Sequence, residues 1–197
     1  GIETPNYIRR KYAKRFSEYF GNTIRGIFTD EPTFTAEHIF PKNELYLPYY
    51  DGVERDIEIK TGKKLIDYIK EQYTNKKNHN TWTEYYKLIS DRFCYAYFRQ
   101  LRSWCDNHNL LLTGHLLLEH NCFYSNYVSG DALRMIRELS FTGIDEIYSS
   151  TEDMQNGTTD MCYEYLTYAT IEYAAKRNNS GAIAELFSCG PCDMPVS

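Results

Sequence analysis

The segment NLLLTGH, residues 109–115, is a short leucine run that ends in a glycine and a histidine. Apolar residues fill both faces of this run, which is typical of a strand buried within a parallel sheet. Three other segments combine an apolar or β-branched run with a polar strand end: TIRGIFTDEP (23–32), TGIDEIY (142–148) and SGAIAELFS (180–188). The sequence therefore predicts four strands.

Segments with helical periodicity separate these strands. The strongest spans 82–107, where one face is apolar and is expected to lie in the core: Trp82, Tyr85, Ile89, Phe93, Tyr97, Leu101 and Trp104. Further helices are expected over 4–20, over 53–73, from a cap at Ser129 or Asp131 to Leu139, and in a segment ending near Arg177. Strands that alternate with helices predict an α/β fold of parallel β/α units.

Four such units fit either an open doubly wound sheet or part of a TIM (β/α)8 barrel. An open nucleotide-binding sheet requires a glycine-rich loop after a strand, and neither G-x-G-x-x-G nor G-x-x-x-x-G-K-[ST] occurs. Instead, an acid or histidine stands where each strand ends, and the C-terminal strand ends of a barrel meet on one face. We therefore expect residues 1–197 to form a single barrel segment.

The strand-end carboxylates predict glycoside hydrolysis, which uses two carboxyl groups that flank the scissile bond. Glu31 and Glu185 are the best candidates, and Glu119 is the third catalytic candidate. Glu185 is notable because it lies among Ala, Ile, Leu and Phe, where burial disfavours a charge that has no partners. A turn role for Glu31 and a surface ion pair for Glu185 are the structural alternatives.

Substrate-binding candidates lie beside these acids. Asp30, His115 and Asp145 also stand at strand ends, and histidine can donate a hydrogen bond to a sugar hydroxyl. Tyrosine rings stack on pyranose faces, so the tyrosines of the segments NELYLPYYDG and EHNCFYSNY are further candidates. They are Tyr46, Tyr49, Tyr50, Tyr124 and Tyr127.

Composition limits the partners. The net charge of −5 disfavours a nucleic-acid backbone as a ligand, and no apolar run approaches the ~20 residues of a membrane span. The zinc motif H-E-x-x-H is absent, so no metal or other cofactor is expected, although the many acids leave a structural calcium open. Scattered cysteines without a disulfide or zinc spacing favour a cytoplasmic location.

Four segments, in this order, carry a family resemblance: RGIFTDEP (25–32), LLLTGHLLLEH (110–120), GDALRMIRELSFTGIDEIY (130–148) and SGAIAELFSCGP (180–191). Together they resemble the central barrel segments of large bacterial glycoside hydrolases of the α-L-rhamnosidase type, family 106, and their uncharacterised relatives. The resemblance implies a (β/α)8 barrel whose middle strands lie in this chain, with further domains in a longer chain. The Glu of F-x-D-E-P corresponds to Glu31, and the later strand-end acid corresponds to Glu185.

Two other functions remain open. A barrel that binds carbohydrate without catalysis would keep the same aromatic residues and lack turnover. A thiol–disulfide protein would use Cys189 and Cys192 of the C-G-P-C motif, but Asp193 and Pro195 stand where such a site needs a helix N-terminus. Hydrolysis of a plant or microbial oligo- or polysaccharide is the preferred hypothesis, with the sugar and the stereochemical outcome open.

Overall fold

The computed structural model contains a parallel β-sheet with helices packed on it. The strands are β1 (Gly26–Thr29), β2 (Leu111–Gly114), β3 (Phe141–Glu146) and β4 (Ala182–Leu186). The structure describes residues 9–34, 47–74, 82–117, 122–146, 172–173, 175–177 and 180–186.

All strand pairs are parallel, and their spatial order is β1-β2-β3-β4. The predicted α/β class with parallel β/α units is thus confirmed. Over the described part of the chain the sheet is not closed, because β1 and β4 each pair with one neighbour only. The two strands whose predicted segments are fully described, β1 and β2, are each shorter than those segments.

Helices connect these strands. A π-helical turn (Arg9–Ala13) leads into α1 (Lys14–Phe16) and a 3₁₀ turn (Ser17–Tyr19), and a second π-helical turn spans Cys94–Arg99. The remaining helices are α2 (Val53–Thr61), α3 (Leu65–Thr74), α4 (Thr83–Phe93), α5 (Gln100–Asp106), α6 (Cys122–Val128) and α7 (Ala132–Ile136). No helix among the described residues is long and apolar enough to span a membrane.

The helix predicted over 82–107 is confirmed as the continuous unit from α4 to α5. The single helix predicted over 53–73 is wrong, because Gly62 adopts φ 72° and ends α2 with a hydrogen bond from its N–H to the Glu58 carbonyl. Of the two caps expected, Ser129 or Asp131, it is Asp131 that caps α7, since its side chain accepts from the Arg134 N–H, and α7 ends at Ile136 rather than at the predicted Leu139. The part of the last predicted helix before residue 172 lies outside the described residues.

One face of the sheet packs against the α4–α5 unit and α7. Ile27 of β1 and Leu112 of β2 contact a cluster that includes Phe98, Leu101 and Met135. Burial of this apolar surface is the main favourable contribution to the fold. The thiols of Cys94 and Cys105 lie within the same cluster, and burial raises the pKa of each to about 11. Both thiols are therefore protonated and unreactive near neutral pH.

The opposite face of the sheet is less covered. Side chains alternate along a strand, so Phe28 and Leu111 lie on the face away from the helices. Both side chains are exposed in the described structure, whereas Leu112, which points to the helix side, is buried. This second face, which we call the inner face, carries the site described next.

Candidate functional site

The register of the sheet brings the polar strand ends to one face. Thr29, Gly114, Thr142 and Ala182 lie level with one another across the four strands. Along their own strands, Asp30 and His115 lie one residue beyond these aligned positions, and Asp145 and Glu185 lie three residues beyond them. Because the side-chain period of a strand is two, all four belong to the inner face, opposite Ile27 and Leu112.

His115 is the centre of the cluster. Its side chain is only 2% exposed, and its Nε2 atom lies 3.1 Å from Glu185 Oε2 and 3.4 Å from Asp30 Oδ1. The Phe28 ring packs edge-on against the imidazole with centroids 5.5 Å apart. The two carboxylates are much more open, at 47% for Glu185 and 75% for Asp30. A buried imidazole thus lies beside two carboxylates that solvent or a ligand can reach, and it is hydrogen-bonded to that of Glu185.

Two further acids approach the same histidine. Glu31, Asp145 and His115 each present a ligand atom within 4.8 Å of the other two, as do Asp30, His115 and Glu185. Glu31 adopts φ 42°, a left-handed conformation that is uncommon for a non-glycine residue. Backbone conformations of this kind cluster at functional sites, where the surrounding structure maintains them.

Two glycines allow the strands beneath the cluster to approach closely. A Cβ atom on Gly114 would lie 2.0 Å from the Thr29 carbonyl oxygen, and one on Gly143 would lie 2.3 Å from the Gly114 oxygen. Gly114 also adopts φ 146°, which side chains rarely allow. His115 directly follows Gly114 in the chain. Its position therefore depends on the close approach of β1 and β2 that Gly114 allows.

A tyrosine on the helix side supports the end of β1. Tyr97 Oη lies 2.8 Å from Thr29 Oγ1, and Thr29 directly precedes Asp30 and Glu31. Tyr97 belongs to the π-helical turn that joins α4 to α5. The sequence pattern indicated only a core position for Tyr97, because a local change of helical period leaves no clear signal in one sequence.

The strand-end candidates Asp30, Glu31, His115, Asp145 and Glu185 are therefore brought together. Glu119 and Tyr46 lie outside the described residues, as do Cys189 and Cys192. Tyr124 falls in α6, but its side chain is likewise outside the described part. The Tyr127 ring packs against the Tyr86 ring at a tilt of 34°, with centroids 5.8 Å apart. Tyr50 lies against α2, where its hydroxyl donates to Asp56.

The cluster also has the composition of a cation site. Each group of three combines one imidazole nitrogen with two carboxylate oxygens. Calcium prefers ligand sets made of oxygen alone, whereas histidine with carboxylates suits zinc and other first-row metals. Exposed acids around a histidine equally suit hydrogen bonding to a polyhydroxylated ligand, and this chemistry requires no metal.

Comparison with known proteins adds no relative: no protein-family model, curated protein or solved structure matches the chain. The described residues therefore place the protein in the α/β class: they form a parallel α/β unit with a histidine–carboxylate cluster at the C-terminal ends of its strands.

Proposed function

We propose that this chain forms the middle of a (β/α)8 barrel that hydrolyses glycosidic bonds. The proposal is supported chiefly by one observation, the meeting of carboxylates from β1, β3 and β4 around His115 at the end of β2. Four strand ends thus contribute to one cluster, as in the active sites at the C-terminal face of barrels.

The strand order supports the barrel over a doubly wound sheet. A doubly wound sheet reverses its strand order at a switch point, where the ligand binds. Here four consecutive strands follow one another without a reversal. The exposed apolar residues Phe28 and Leu111 on the inner face also fit a barrel, whose interior is filled by side chains from all strands.

In the proposed mechanism, Glu31 and Glu185 are the two catalytic carboxyl groups. One protonates the leaving oxygen, and the other attacks the anomeric carbon or activates water. With its proton on Nε2, His115 donates to Glu185 and orients it, and the same nitrogen lies 3.4 Å from Asp30. Asp30 and Asp145 accept hydrogen bonds from sugar hydroxyls, and the open side of the cluster admits the substrate.

The first test is turnover by the natural polypeptide with a panel of p-nitrophenyl glycosides that includes the α-L-rhamnopyranoside. We expect hydrolysis of at least one substrate, and a fall in kcat of about 10²–10⁴-fold in both Glu31→Gln and Glu185→Gln. The exposed Glu18→Gln is the matched control and should retain full activity. Thermal unfolding verifies that each variant is folded.

Two outcomes would contradict the hydrolase proposal. One is undiminished hydrolysis by both Glu31→Gln and Glu185→Gln, which would show that other residues catalyse the reaction. The other is sugar binding by the wild-type protein without turnover of any substrate in the panel. That result would favour the carbohydrate-binding barrel without catalysis.

A further inference from the structure

Two adjacent tyrosines outside the histidine–carboxylate cluster are held in place by their hydroxyl groups. Tyr49 Oη donates to Glu54 Oε1 at 2.6 Å, and Tyr50 Oη donates to Asp56 Oδ2 at 2.8 Å. Both acceptors lie in the first turn of α2, where the helix dipole favours carboxylates. The hydrogen bond from Tyr49 holds the pKa of Glu54 below its usual value.

The Tyr49 ring is nevertheless 59% exposed. An aromatic ring that is both exposed and fixed in orientation offers a binding surface at little entropic cost. The backbone before it is also anchored, because Tyr85 Oη donates to the Pro48 carbonyl at 2.6 Å. Tyr50 is held on one face by Arg92, whose guanidinium carbon lies 5.6 Å from the ring centroid.

These tyrosines line a cleft of about 420 Å³. Its other walls include Phe34, Phe93, Asp51 and Arg92, so apolar rings stand beside two charged hydrogen-bonding groups. A cleft of this size and composition suits one or two sugar rings, whose C–H faces stack on aromatic rings while their hydroxyls bind polar groups.

One wall residue of the cleft lies near the histidine–carboxylate cluster along the chain. Thr33 lines the cleft and follows Glu31 by two residues, so their Cα atoms are at most about 7 Å apart. Glu31 of the cluster and Thr33 of the cleft wall are thus close neighbours, and this closeness links the two sites in the proposal below.

We propose that this cleft is a second sugar subsite, with Tyr49 as its stacking platform, and that the ligand is an oligosaccharide of two or more residues. The inference rests on the proposed function for its link to catalysis. It assigns Glu54 as a positioning residue, which acts only by orienting the Tyr49 ring.

The test measures binding of two sets of probes to the natural polypeptide carrying Glu185→Gln. The first set is an array of xylo-, manno-, gluco-, galacto- and rhamnose-terminated oligosaccharides of two to six residues, and the second is the corresponding methyl monosaccharides. We expect Tyr49→Ala to weaken oligosaccharide binding about tenfold and to leave monosaccharide binding unchanged. Glu54→Ala should give a smaller loss, and Tyr49→Phe, which keeps the ring, should lose no more than Glu54→Ala.

Tyr95→Ala is the matched control, because Tyr95 is 57% exposed but is not among the residues that line the cleft. Equal binding by Tyr49→Ala and Tyr95→Ala, or an equal loss for monosaccharides and oligosaccharides, would overturn the subsite. So would an array that shows no oligosaccharide bound. Turnover of aryl glycosides is measured in a separate experiment. If the protein hydrolyses none of them, the binding data still decide whether the cleft is a sugar subsite.

Discussion

At the residue scale, the geometry of the site depends on the missing side chain of Gly114. This glycine combines a positive φ with a neighbouring strand that leaves no room for a Cβ atom. Gly62 has a positive φ of 72° as well, but nothing lies within 4 Å of a Cβ built there. A side chain at Gly62 would therefore introduce backbone strain alone, whereas one at Gly114 would introduce strain and a steric clash.

We predict that Gly114→Ala lowers the free energy of unfolding by about 3 kcal/mol or more, since strain and overlap with β1 act together. Gly62→Ala should cost only about 1 kcal/mol, because it introduces strain alone. Urea denaturation monitored by circular dichroism measures both. Equal losses in the two variants would show that the close approach of β1 and β2 is absent in solution.

At the element scale, the π-helical turn Cys94–Arg99 links the helix layer to the site. Tyr97 stacks on Phe93 with centroids 5.6 Å apart and contacts Thr29 through its hydroxyl. The hydroxyl pair is partly buried, so removal of one partner leaves the other without its hydrogen bond. The end of β1, and with it Asp30 and Glu31, is thereby fixed from the helix side.

A double-mutant cycle tests this link. Tyr97→Phe and Thr29→Val should each lower the free energy of unfolding by about 1 kcal/mol, and the double variant should cost about as much as either one. Such a coupling energy shows that the two hydroxyl groups interact. Strictly additive losses in urea denaturation would argue against the hydrogen bond.

Sequence patterns predicted those elements in which local preference and burial agree. The apolar stripe from Trp82 to Trp104 gave the α4–α5 unit, and the four apolar runs gave the strands and their polar ends. Helix α6, Cys122–Val128, was missed because every residue of CFYSNYV, including its three aromatic residues, has a low helix propensity. Tertiary contacts support it instead, such as the bond from the Phe34 N–H to the Val128 carbonyl.

The candidate site was predictable for a simple reason. Parallel strands place their C-terminal ends together, so the acids at strand ends could be expected to meet around His115. Long-range partners were not predictable in this way. The bonds that join Tyr97 to Thr29 and Tyr85 to the Pro48 carbonyl span 68 and 37 residues, and no sequence period encodes them.

At the scale of the whole molecule, the two outer strands distinguish a barrel from an open sheet. Over the described residues, β1 pairs only with β2 and β4 pairs only with β3. An open sheet leaves a row of unpaired backbone groups along each of these strands, whereas a closed barrel has no edge. The proposed barrel therefore requires further strands beside β1 and β4.

Hydrogen exchange of the natural polypeptide measures this property directly. We predict that the amides of β1 and β4 are as strongly protected as those of β2 and β3, because in a barrel every strand is paired on both sides. Light scattering on the same sample must show a monomer, so that pairing between copies does not account for the protection. Rapid exchange confined to β1 and β4 would contradict the barrel and leave an open four-stranded sheet as the architecture.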